Sequence, residues 1–123
     1  MENCLFCKIA AKQIPSSVVY EDDELLAFKD INPAAPVHLL VIPKIHVATV
    51  AECNASHPEL LGKMLALTPR LAEDHGCAVT YDAVGQPAGG YKTMINSGPD
   101  GGQEVYHLHL HLYGGPRPWR GQR

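Results

Sequence analysis

No stretch of this 123-residue chain approaches the roughly 18–20 consecutive apolar residues needed to cross a membrane. The start, MENCLFCK, lacks the basic segment followed by an apolar one that marks a secretory signal. Together these absences predict a cytoplasmic protein with no membrane partner. A basic surplus is missing too. Lys and Arg number 10 against 13 Asp and Glu, a formal charge of −3. A nonspecific nucleic-acid binder needs a basic surface, so that class is excluded. Arg117, Arg120 and Arg123 are the only local group of positive charge, too sparse for a patch. There is no internal repeat and no low-complexity tract. The length suits one domain, 1–123, with an irregular tail over 116–123.

What is present is a normal apolar share, 46%, enough for a core in a chain of this size. Residues 3–12 predict a short helix stopped by Pro15. VVYEDD and ELLAFKD read as two strands around a turn at Asp22–Asp23. INPAAP is a loop, and VHLLVIP is a strongly β-prone strand closed by Pro43. Ser56 and Glu59 form a capping box for a long helix. Leu60, Leu61, Met64, Leu65, Thr68, Leu71 and Ala72 keep its 3.6-residue period, and Gly76 stops it. Pro69 lies inside and should kink or split that helix. AVGQPAGG is a loop, GYKTMIN a strand, SGPDGG a tight turn and VYHLHLHLY the last strand. The order predicts an α+β fold: about five antiparallel strands, with a short N-terminal helix and one long helix packed on one face.

The last strand carries the chemistry. His107, His109 and His111 alternate with Leu108, Leu110 and Leu112. Alternation puts the three imidazoles on one face, roughly 6.5–7 Å apart, and the leucines in the core. Polar residues that merely face water would rarely be histidine three times over. Two chemistries remain. Neutral imidazoles on a strand can hold zinc. Groups that titrate near neutrality can also serve as nucleophile, base or donor to a phosphate. The flank NSGPDGGQE favours phosphate: a Gly-rich turn can aim backbone N–H groups at an anion, and Asn96 and Gln103 add neutral donors. Cys4 and Cys7 form a C-x-x-C pair, a metal or redox element in a reducing compartment. The βαβ context of a thioredoxin-like motif is missing. Cys53 and Cys77 have no partner pattern and read as free thiols. His57 and His75 read as local structure at helix ends.

HLHLHLY is similar to the signature His-x-His-x-His-x-x of the histidine triad (HIT) superfamily of nucleotide hydrolases and transferases. The resemblance runs through FCKIAAKQIPSSVVYEDDELLAFKDINPAAPVHLLVIPKIH and MINSGPDGGQEVYHLHLHLYGG, and is closest to the Hint branch of nucleotide-binding proteins. It implies a HIT-like fold and a purine nucleoside phosphoramidase. His109 would attack the α-phosphorus of adenosine 5′-phosphoramidates or aminoacyl-adenylates and form a nucleotidyl-histidine that water hydrolyses. His111 would contact the phosphate and leaving group, and His38 would support the triad. Asn96, Gln103 and the backbone around Gly102–Glu104 would hold phosphate oxygens. Asp30 would accept the ribose hydroxyls, and Leu5, Phe6, Phe28 and Ile31 would line the base slot.

The same resemblance implies a structural zinc held by Cys4, Cys7, His46 and His107, no organic cofactor, and a homodimer. It also implies a tail, with Trp119, that approaches the partner's site. Two positions depart from the family pattern. Glu104 stands where some Hint proteins place a serine, so an ionised side chain there cannot donate and only its backbone N–H can serve. Lys29 occupies a variable base-pocket position, which loosens the purine preference. Dinucleoside polyphosphate hydrolysis and a non-catalytic nucleotide-binding or zinc module are the alternatives.

Overall fold

The two most apolar runs become the middle of a sheet. The computed structural model describes residues 3–119, the side chains of 54 and 55 excepted; Arg120, Arg123 and the end of the tail lie outside it. In chain order the elements are α1 (Leu5–Ala10), β1 (Val18–Glu21), β2 (Leu25–Lys29), β3 (Val37–Pro43), α2 (Val50–Ser56) and α3 (Pro58–Asp74). These are followed by β4 (Thr80–Tyr81), β5 (Pro87–Ala88), β6 (Tyr91–Met94), a 3₁₀ turn (Pro99–Gly101) and β7 (Leu110–Gly114). Five strands form one sheet in the order β1-β2-β3-β7-β6, with every neighbouring pair antiparallel. The pair β4–β5 is a separate small hairpin, with β5 inside the segment expected to be loop and β4 just before it.

The helices do not share a face of the sheet. Leu25, Ala27, Leu39, Val41, Leu110 and Leu112 pack with Leu60, Met64, Leu67 and Leu71 of α3. Leu26, Phe28, Leu40 and Ile42 point the other way and pack with Phe6 and Ile9 of α1. This corrects the one-faced arrangement, for a simple reason. Strands β2 and β3 are buried at nearly every position. Side chains alternate across a strand, so both faces need an apolar cover.

The long helix starts later than the sequence predicts. Ser56 is the last residue of α2, a helix the sequence reading lacked, and its hydroxyl donates to Glu52 O at 2.9 Å. It therefore caps nothing. The next helix opens at Pro58, whose fixed φ and missing N–H suit a first turn. Pro69 neither ends nor splits α3. The backbone donor that proline withholds from Leu65 O is replaced by the Thr68 hydroxyl, which donates to that carbonyl at 2.8 Å. Gly76, at φ 75°, stops the chain as expected, and Cys77 N–H closes back on Ala72 O at 2.8 Å.

The last strand is also shorter than expected. The ladder begins at Leu110, so Val105–His109 run outside it. Its neighbours end there: β3 stops at Pro43, which has no N–H, and Leu108 N–H donates instead to Val47 O at 2.6 Å. The alternation survives the loss of pairing. Leu108, Leu110 and Leu112 are all buried in the cluster under α3.

Candidate functional site

Register decides which side chains meet. Leu40 on β3 pairs with His111 and His38 pairs with Tyr113, so His38, Leu40 and His111 share the face covered by α1. His109 continues that row and meets the Phe6 ring edge-on, with centroids 5.1 Å apart. The sheet and α1 thus enclose the histidines between a hydrophobic floor and the loop over 96–105.

Hydrogen-bond partners fix the tautomers. His109 Nδ1 lies 2.8 Å from His107 O. A carbonyl can only accept, so Nδ1 carries the proton and Nε2 keeps its lone pair. At His38 the logic is reversed. Ala34 N–H donates to Nδ1 at 3.0 Å, so the proton sits on Nε2. That Nε2–H faces His111 Nδ1 at 3.0 Å and Asp30 Oδ2 at 3.4 Å. His111 therefore accepts at Nδ1 and carries its own proton on Nε2. Burial, reinforced by repulsion from His109 and His38, pushes the His111 imidazolium down to about 4, so this ring is neutral at pH 7. The outcome is two rings 5.0 Å apart, one with a free lone pair and the other with an N–H.

These groups border a cavity of about 500 Å³. His109, His111, Asn96, Gly102, Glu104, Asp30, Lys29 and Ile31 line it, with Asp30 close to His111 through His38. Leu5, Phe6 and Phe28 line it too. These four apolar residues differ in kind. Phe6 and Phe28 are core residues packed edge to face at 5.6 Å, Leu5 is partly open, and Ile31 is 92% exposed at the rim. Asp30 is preset: Oδ1 accepts from Asn32 N–H at 2.8 Å. The sequence reading missed Ile9, Ile14, Ser16 and Leu40 in this wall. Leu40, two residues from His38, and Ile9, one turn from Leu5 and Phe6, could have been found by periodicity. Ile14 and Ser16 carried no such signal. Tyr113 was missed as well: two residues from His111, it stacks on that ring at 5.5 Å and lies tilted against His38 at 4.4 Å.

In the Gly-rich turn, several of the groups expected to contact phosphate already have partners within the protein. Gly101 N–H and Gln103 N–H both donate to Gly98 O, and Gly102 N–H donates to Pro99 O, so these groups are used inside the turn. The buried Gln103 side chain is used as well. It accepts from Gly98 N–H at 2.9 Å and donates to Ala48 O and Val105 O at 2.8 and 3.1 Å. Gln103 is a brace and does not line the cavity. Asn96 lines it while donating to Gly101 O at 2.7 Å. Gly102 contributes its left-handed φ of 83° and close approach rather than its N–H. Glu104 and Val105 of this segment border the cavity beyond the turn.

A second cluster lies beside the first. Cys4, Cys7, His46 and His107 place one ligand atom each within 4.8 Å of all the others. His107 Nδ1 is 3.3 Å from Cys4 Sγ and 3.5 Å from Cys7 Sγ, and His46 Nδ1 is 3.3 Å from Cys7 Sγ. Neighbouring N and S ligands on one tetrahedral zinc stand about 3.5 Å apart, so the four fit that ion. The tautomer fits too. His107 Nε2–H donates to Pro43 O at 2.8 Å, which leaves Nδ1 bare. Burial, aided by the Cys4 side chain, pushes the Cys7 thiol up. Asp30, His38 and His111 form another compact group, linked by the His38–His111 hydrogen bond and the His38–Asp30 contact.

The remaining sites fall where local structure puts them. Cys53 is buried and donates to His57 O; Cys77 is buried and a free thiol. His75 Nδ1 meets Leu71 O at 2.9 Å at the end of α3. Of the tail, Trp119 bonds Gly115 O and stacks on Tyr113 of its own chain at 6.1 Å. A larger recess of about 750 Å³ lies there, away from the histidines. Among the described residues no helix is long and apolar enough to cross a membrane.

Comparison with known proteins adds to this geometry. A family model described as "Scavenger mRNA decapping enzyme C-term binding" matches residues 3–122. Protein HitA of Neisseria gonorrhoeae is 52% identical over 116 residues, 94% of this chain and 99% of that one. A purine nucleoside phosphoramidase of Escherichia coli K12 is 43% identical over 114 residues, 93% of this chain and 88% of that one. The crystal structure of a HIT family hydrolase from Legionella pneumophila Philadelphia 1 superposes with a TM-score of 0.81 at 48% identity. That match covers 94% of this chain and 95% of the other.

Proposed function

Because this chain belongs to the histidine triad (HIT) family, whose members similar to it include hydrolases, we propose that it is a nucleotide hydrolase. Its reaction is that of a purine nucleoside phosphoramidase: cleavage of the P–N bond in adenosine 5′-phosphoramidates or aminoacyl-adenylates. The observation that carries this reading is the pair of opposed tautomers, the His109 Nε2 lone pair beside the His111 Nε2–H on one cavity wall.

His109 Nε2 attacks the α-phosphorus as the P–N bond breaks. The departing nitrogen accepts a hydrogen bond from His111 Nε2–H, takes its proton from solvent and leaves as an amine. Water then breaks the P–N bond to His109, and the nucleoside monophosphate is released. His107 O holds the His109 proton on Nδ1 and fixes the orientation of the ring. Asp30 and His38 hold the His111 proton on Nε2. Asn96 and the backbone at Glu104 hold phosphate oxygens, with Gly102 allowing close approach. Asp30 Oδ2 accepts from the ribose, and the apolar wall takes the base. Cys4, Cys7, His46 and His107 hold zinc, which ties α1 to the segment carrying His109. The enzyme works as a homodimer in the cytoplasm.

Intact-mass spectrometry tests the central step. Mixed rapidly with an adenosine phosphoramidate, the wild-type chain should gain one adenylyl group, and His109→Asn should gain none. An adduct on that variant would overturn the assignment. A parallel assay with diadenosine polyphosphates separates the alternative hydrolase. Nucleotide binding without any adduct on the wild type would point to a non-catalytic module.

A further inference from the structure

Two carboxylates line the cavity, and they differ in how far they are neutralised. Asp30 is engaged by Asn32 N–H and by His38. Glu104 is exposed, and among the described residues it takes part in no ion pair and no side-chain hydrogen bond. The one lysine or arginine lining this cavity is Lys29, which stands next to Asp30. Glu104 also borders a second recess of about 470 Å³, together with Asn3, Cys4, His46 and Tyr106. Leu5, Glu104 and Val105 belong to both linings, so they form the ridge between the two spaces.

The geometry of displacement gives that ridge a role. Attack and departure lie in line across phosphorus. The attacking nitrogen belongs to the buried His109, and Lys29 and Glu104 are the exposed charged residues of the lining, so a leaving group that exits outward meets one of them; Glu104 is the one that also borders the second recess. An uncompensated carboxylate there acts on charge. It repels a like charge brought beside it and is indifferent or attractive to an amine. We propose that Glu104 is the specificity-determining residue of this site. Its carboxylate admits neutral and cationic amine leaving groups and rejects polyphosphate ones, and the recess beyond the ridge receives the departing amine. This rests on the P–N reading above and sharpens it.

The test compares kcat/KM for three adenosine 5′-phosphate conjugates that differ in the leaving group. One carries a simple alkylamine, one a diamine with a free ammonium, and one is a diadenosine polyphosphate. In Glu104→Gln the preference for amine over polyphosphate should fall by about tenfold or more, the scale of one like-charge contact near a protein surface. The advantage of the ammonium conjugate over the alkylamine should shrink as well. Glu104→Ser should behave like Glu104→Gln, since both remove the charge. An unchanged ratio, or Gln and Ser moving in opposite directions, overturns the proposal. If the wild type turns over none of the conjugates, the phosphoramidase reading fails by itself. The filter is then read from affinity: Glu104→Gln should raise binding of the diadenosine polyphosphate relative to AMP, and equal ratios in both proteins overturn it.

Discussion

The two faces of the five-stranded sheet use the same central strands for opposite ends. Toward α3, leucines from β2, β3, β7 and Leu108 close a buried apolar core. Toward α1, six buried residues make a thinner cluster, and the rest of that face is left to histidines, a cavity and a thiol cluster. One face is filled by shape, which is tolerant of which apolar group fills it. The other is held by directional bonds, in which each proton has an assigned atom. Stability and chemistry are thus separated by the thickness of one strand, and adjacent residues of HLHLHLY should fail in different ways.

Neighbouring substitutions break that separation most directly. His109→Asn keeps a donor for His107 O but removes the attacking lone pair. Turnover of a phosphoramidate should fall by about a thousandfold or more, with little change in melting temperature. Leu110→Ala, one residue on and fully buried, should cost about 2–5 kcal/mol in urea unfolding, while the folded fraction keeps its activity. A loss of stability in the first variant comparable to that in the second would show that the two faces are not separable.

The period-2 pattern of that strand was legible because both of its faces are buried and differ in chemistry. VHLLVIP was equally legible, and β3 spans those seven residues. What sequence could not show lay in long-range bonds. That the Gln103 amide donates to Ala48 O could not be read locally, because the two are 55 residues apart. Ser56 looked like a cap because nothing local revealed that a helix already ended there. The strand was read from Val105 because alternation continues where pairing has stopped. The second sheet face needed α1, and a helix of six residues carries too short a period to say which side it covers. The thiol cluster came from family resemblance, since His46 and His107 are far apart in the chain.

That cluster sharpens the comparison, because it is the part of the α1 face that resembles a core. A Cys4→Ser, Cys7→Ser double variant should lose about 2 kcal/mol or more, a drop of roughly 8 °C in melting temperature, and its zinc content per chain should fall to background. His107 O orients His109, so activity should fall along with stability. Unaltered stability together with no zinc in the purified wild type would remove the metal from this fold.

The smallest effect tests the comparison where it is least clear, in the base pocket. Phe28 and Ile31 both line the cavity, three residues apart, yet one is 4% exposed and the other 92%. Phe28 packs on Phe6 and belongs to the apolar cluster under α1, so Phe28→Ala should destabilise the fold by about 3–5 kcal/mol whatever it does to binding. Ile31 buries almost nothing without ligand. Its contact with a base would be made only on binding, so Ile31→Ser should leave the urea midpoint within about 0.5 kcal/mol. The same change should raise KM by a few-fold, on the order of the 1 kcal/mol expected for partly covering one aliphatic side chain. A KM that does not move would place the base away from the rim. A midpoint that falls as far as that of the Phe28 variant would mean that Ile31 is covered in the free protein.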